Sequence, residues 1–119
     1  MKEFSQVITE KEVSAFIELT GDNNRIHWDK EYTKMFERPV AHGMLIASYI
    51  SRMIGTMLPG EGTVWNTAEI TWIKPVYIFD KIRVRAEILR DRGGFAELQV
   101  DVFNQNDEQV IKCHCWVKK

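Results

Sequence analysis

The chain is poor in proline and cysteine, with three and two respectively, and it has no apolar run approaching the roughly 18 residues of a membrane span. Two cysteines one residue apart, Cys113 and Cys115, cannot build a disulfide framework, and a lone C-x-C cannot supply a tetrahedral zinc site by itself. An excess of either charge is also missing. Sixteen Lys and Arg face 17 Asp and Glu, so nothing global draws the chain to nucleic acid or to an anionic membrane. The first residues, MKEFSQVITEKE, place acids where a secretory signal needs an apolar stretch. The expectation is a cytoplasmic protein with neither nucleic-acid nor membrane partners and no metal or cofactor.

What is present is ordinary globular material: 45% hydrophobic and 28% charged residues over 119 positions, which excludes disorder and suits one domain spanning residues 1–119. Thr9 followed by Glu12 is a capping-box signature, and Val13, Phe16 and Ile17 follow at helical spacing, predicting a helix over 9–20 that Gly21 ends. A short strand at Phe4–Ile8 precedes it. Asp22 to His27 then fall on a polar loop, where chemistry is often carried.

After Pro39 the segment AHGMLIASYISRMIGTMLPG is apolar on nearly every side, with Arg52 its one charged residue, and predicts a helix buried almost all round. Pro59-Gly60 stops it. Beyond Gly62 the period changes to two. In KIRVRAEIL, Ile82, Val84, Ala86 and Ile88 alternate with charged residues, and 63–73, 94–104 and 109–118 alternate more weakly. In the last of these, Ile111, Cys113, Cys115 and Val117 share the buried face, leaving Lys112, His114, Trp116 and Lys118 on the other. Turns are expected at Phe79-Asp80, Gly93-Gly94 and Asn104–Asp107.

One apolar helix and a long antiparallel meander bury each other best when the sheet curves around the helix. This is an α+β architecture of the hot-dog type. Such a sheet keeps an exposed edge, and Trp65 and Trp116 are expected on its polar face, so a homodimer is predicted.

Two segments stand out: Gly21-Asp22-Asn23-Asn24-Arg25-Ile26-His27-Trp28-Asp29, and Glu37-Arg38-Pro39-Val40-Ala41-His42-Gly43-Met44-Leu45. With GTVWNTAEITWIKPVYIFD they resemble the MaoC-like (R)-specific enoyl-CoA hydratases and 3-hydroxyacyl-thioester dehydratases, from about residue 9 to residue 90. The resemblance implies a hot-dog dimer with Asp22 and His27 as catalytic dyad and the Gly43 amide polarising the thioester carbonyl. It also implies that Ser51 lines an acyl pocket, with Ile54 contributing to its depth. The substrate would be an acyl thioester of coenzyme A or of acyl carrier protein.

The same roles suit the chemistry. Hydrating an enoyl thioester needs a base for the attacking water and an acid for C2, and a carboxylate and an imidazole sharing one water supply both. Charge developing on the thioester oxygen needs a donor, and unpaired N–H groups at a helix N-terminus provide one. Glycine at position 43 allows close approach, and a positive φ there would add a second reason for it. Asp22 and Asn24 could instead be loop caps. His42, beside the helix N-terminus where the dipole disfavours an imidazolium, is assigned to orientation near the substrate.

Two departures from the family pattern are notable. Arg25 stands where proline is usual, and could influence Asp22, reach a carrier phosphate or simply be solvated. Phe79 stands where glycine commonly precedes the turn Asp, so a changed turn is expected. The alternative functions are a hot-dog thioesterase, disfavoured because residues 44–58 contain no Asp or Glu, and a non-catalytic acyl-thioester binder, favoured if Arg25 disorders the loop.

Overall fold

The structure is a computed structural model describing residues 1–119. In chain order the elements are β1 (Lys2–Val7), α1 (Glu10–Thr20), two 3₁₀ turns (Arg25–His27 and Lys34–Phe36), α2 (Gly43–Thr56), β2 (Val64–Trp72), β3 (Lys81–Arg92), β4 (Phe95–Phe103) and β5 (Gln109–Lys118). The Thr9 hydroxyl accepts from the Glu12 amide and caps α1, and Gly21, at φ 79°, ends it by donating to the Ile17 carbonyl. Both signals were legible locally.

The five strands form one antiparallel sheet in the order β1-β3-β4-β5-β2. The expected meander is therefore limited to β3-β4-β5, because β2 crosses to the far edge and pairs with β5. Along β5 the alternation is as expected: Ile111, Cys113, Cys115 and Val117 are fully buried. They join one core of 22 buried residues in which Ile46, Ile50, Met53 and Ile54 of α2 lie against Val84, Val100 and their neighbours. Each such side chain contributes roughly 1.5–3 kcal/mol by leaving water, so the helix is fixed on the sheet chiefly by that face.

Four expectations change. Helix α2 is not buried all round: Met44 is 59% exposed, and Ser48, Ser51 and Arg52 share its open side. A single sheet reaches only one side of a helix, whatever the hydropathy of the other. Trp65 does not sit on the polar face. A register shift between Trp65 and Thr67 pairs Trp65 with Val117 and turns its ring onto the core. Ile88 is 39% exposed, since β3 has a register shift after it and runs beyond the core.

The fourth change is at Phe79, which keeps the left-handed conformation expected of glycine, with φ 80°. The turn is retained through the bonds of its neighbour Asp80. The Asp80 carboxylate, 3% exposed, accepts from the Tyr77 amide, the Gln105 side chain and Arg38. Its backbone carbonyl accepts from Ile8, while Phe79 donates to the Ile8 carbonyl. This knot ties β1 and the 104–108 turn to the segment preceding α2.

Candidate active site

The loop after α1 is tightly specified by its own polar side chains. The Asn24 carboxamide accepts from the Ile26 amide at 3.2 Å and caps the turn that delivers His27. Arg25 places its guanidinium 2.8 Å from Asp29 and 4.6 Å over the Tyr32 ring, so it braces the loop and does not engage Asp22. Asp29 in turn accepts from the Glu31 and Tyr32 amides, and these bonds together with Arg25 hold its carboxyl below the usual carboxylate value. Asn24 thus takes the capping role, and Arg25, which stands where the family pattern has proline, is tied to Asp29 and Tyr32.

His27 is 6% exposed, and its Nδ1 lies 2.6 Å from the Val40 carbonyl. A carbonyl can only accept, so Nδ1 carries a proton, and in the neutral ring the lone pair lies on Nε2. The Val40 carbonyl is itself positioned by Val40 donating to the Ile26 carbonyl and Ala41 donating to that of Val76.

His42, 2% exposed and the residue preceding α2, donates from Nε2 to the Asp22 backbone carbonyl at 3.0 Å. The two imidazoles stack, with centroids 3.6 Å apart and planes 22° from parallel. Burial is the largest cause that lowers the His42 pKa, with His27 adding to it and Asp22 opposing. The ring is therefore held neutral, as expected, but by desolvation first.

Asp22 is exposed, and its carboxylate lies with the ring nitrogens of His27 and His42 in a group whose ligand atoms fall within 4.8 Å of one another. Such a trio could be read as a metal site. The stacking argues against it, because nearly parallel rings direct their lone pairs side by side and not toward one ion. A carboxylate and an imidazole with a free Nε2 are better suited to holding one water between them.

Gly43 opens α2, and its N–H finds no acceptor within the chain. Its φ is not among the positive ones. Glycine is required for a different reason: a Cβ there would lie 2.8 Å from Nε1 of Trp72, whose indole N–H donates to the Gly43 carbonyl at 2.9 Å. Gly43 and Trp72 edge a cavity of about 220 Å³ lined also by Val40, Ala41, Ile46 and Val76. His27 opens instead on a separate recess beside Val13, Ser14 and Pro39.

Of the anticipated pocket residues, Ile54 is 2% exposed inside the core, and Ser51 lies on the open side of α2. Trp72, Ile46 and Val40 were not anticipated. Nothing local marks them, since Trp72 reads as a strand residue and Val40 acts through its backbone.

The chain is similar to known proteins in both sequence and structure. The family described as MaoC like domain matches residues 2–110. The chain is 34% identical over 111 residues to an (R)-specific enoyl-CoA hydratase of Aeromonas caviae, covering 90% of this chain and 83% of that one. Its structure is similar to that of an (R)-hydratase from A. caviae involved in PHA biosynthesis, with a TM-score of 0.94 and 30% identity over 98% of this chain and 92% of the other. An R-hydratase from Pseudomonas aeruginosa in its unliganded form also has a TM-score of 0.94, at 31% identity over 98% of this chain and 77% of that one.

Proposed function

This chain belongs to the MaoC-like domain family, and from that premise we propose that it reversibly hydrates a trans-2-enoyl thioester, carried by coenzyme A, to the (R)-3-hydroxyacyl thioester. The observation that carries this reading is the junction of Asp22 and His27 beside a neutral, buried His42, with the unpaired N–H of Gly43 at the head of α2.

The water between the Asp22 carboxylate and His27 Nε2 loses a proton to the pair as its oxygen bonds to C3. Electron density moves through the former double bond onto the thioester oxygen, where the Gly43 amide donates. The pair then returns a proton to C2, completing addition of water with no net proton change. Dehydration runs the same steps backward. The Val40 carbonyl keeps His27 in the tautomer this requires.

The thioesterase reading has no support in α2, whose sequence GMLIASYISRMIGT offers no carboxylate. A passive binder is disfavoured by the capped, ion-paired loop around Arg25. Acyl carrier protein remains the second possible carrier. A homodimer would cover the open side of α2 and the β2 edge. No helix is long and apolar enough to cross a membrane, and the two free, buried cysteines accord with a cytoplasmic setting.

The test is to supply crotonyl-CoA and follow loss of the conjugated enoyl absorbance, with chiral chromatography of the product. The (R)-3-hydroxy product without release of free thiol supports the reading. The (S) product, thiol release, or no turnover overturns it.

A further inference from the structure

We propose that Trp72 is a positioning residue for the Gly43 end of α2, its indole holding the first helical peptide in the orientation that presents the oxyanion donor. This rests on the hydratase reading, and names a residue on which that donor depends.

The first residue of a helix is its least constrained. Its N–H has no intrahelical partner, and the first turn frays unless something outside the helix holds it. The usual holder is a capping side chain that accepts from a first-turn amide, but His42, in the cap position of α2, makes no such bond: its Nε2 donates to the Asp22 carbonyl and its acceptor nitrogen, Nδ1, meets no donor. The restraint comes from the sheet. Trp72 donates from Nε1 to the Gly43 carbonyl at 2.9 Å, and its ring atoms stand 2.8–3.2 Å from the position a Gly43 Cβ would occupy.

Trp72 can act as an anchor because its own backbone is fixed. It is the last residue of β2 and is paired with Ile111, and the next two amides, of Ile73 and Lys74, both donate to the Val110 carbonyl. The bond fixes the plane of the Gly43–Met44 peptide, and the close ring limits rotation about the Gly43 backbone. The adjoining Gly43 N–H belongs to the His42–Gly43 peptide, whose carbonyl accepts from the Ile46 amide at 3.2 Å, and the indole restrains the same N–H from the other side of the Gly43 backbone. A donor aimed within a fraction of an ångström of the developing oxyanion is worth far more in the transition state than in the ground state. Loosening it should therefore appear in kcat and not in KM.

The same geometry changes the meaning of an alanine at position 43. The added methyl must displace the indole from its present contact, so Gly43→Ala and loss of the Trp72 donor act through one contact and should not be additive.

The experiment measures Trp72→Phe, Gly43→Ala and the double variant for steady-state hydration of crotonyl-CoA, with backbone amide exchange of residues 43–46 read in parallel by NMR. For Trp72→Phe, which keeps a ring and removes the donor, the expected result is a kcat about tenfold lower with KM within twofold. Exchange at Ile46, whose amide donates to the His42 carbonyl in the first helical bond, should be faster and the rest of the core unchanged. The double variant should be no slower than Gly43→Ala alone. Unchanged kcat in Trp72→Phe, an effect confined to KM, or losses that multiply in the double variant would each overturn the proposal. Should the wild type prove inactive on enoyl thioesters, the hydratase reading fails by itself. The exchange measurement then decides whether Trp72 holds the helix end, and unchanged exchange would overturn that too.

Discussion

His27 lies face to face with His42 at 3.6 Å, and the two rings are held by bonds to opposite sides of the site: His27 to the Val40 carbonyl and His42 to the backbone of Asp22. The stack thereby links the two halves of the proposed catalytic pair. His42 grips the segment that carries Asp22 and offers a flat, uncharged surface to the ring that works beside it. Its Nδ1 is buried and finds no partner, a cost that the packing of the site must offset.

Replacing either member of the dyad should reduce turnover while leaving the fold intact, since Asp22 is exposed and His27, though buried, sits on a loop outside the hydrophobic cluster. Asp22→Asn and His27→Ala are each expected to lower kcat for hydration by about 10²–10⁴-fold, the usual weight of general acid/base assistance. Circular dichroism should be unchanged, and losses of less than about tenfold in both variants would remove the assignment.

His42 confers a stability that depends on pH. Burial holds its pKa below the ordinary 6.5, so below that pH the unfolded chain takes up a proton that the folded protein resists. The contribution is complete above pH 6.5 and is lost as the pH falls through that value toward the folded one. Between pH 8 and pH 5 the melting temperature should fall further in the wild type than in His42→Gln. Equal falls would show that His42 does not titrate on unfolding.

Phe79 occupies a backbone conformation with φ 80° that costs a side-chain-bearing residue about 1 kcal/mol. Its ring is 56% exposed and gains little by packing. Phe79→Gly should therefore raise stability by about 1 kcal/mol, read as a higher midpoint in urea at unchanged slope. A lower midpoint would mean that the ring makes contacts in the assembled protein that outweigh the strain.

The open side of α2, with Met44, Ser48, Ser51 and Arg52, and the unpaired edge of β2 should be covered by a second copy. Sedimentation velocity at micromolar concentration is expected to give a single species of twice the chain mass. Ser48→Arg, which adds bulk and charge to that side away from the dyad, should shift it toward monomer. A wild-type monomer would leave the face without its proposed cover.

Much of this protein was determined by residues close together in the sequence. The Thr9 cap and Gly21 stop bound α1, alternation placed Cys113 and Cys115 on the buried side of β5, and Asp22 and His27 fell on one loop because five residues bridge a single turn. These are interactions of short range, in which a residue's neighbours along the chain are also its neighbours in space. Pairings between distant segments decided the rest. A register shift at β2 turned Trp65 inward, the crossover of β2 brought Trp72 against Gly43, and the packing of α2 against the Asp22 loop set His42 upon His27. Periodicity records which side chains avoid water, but it does not record which surface they meet. A single sheet covers one side of a helix, so an apolar helix such as α2 keeps an open side that only the assembled structure reveals.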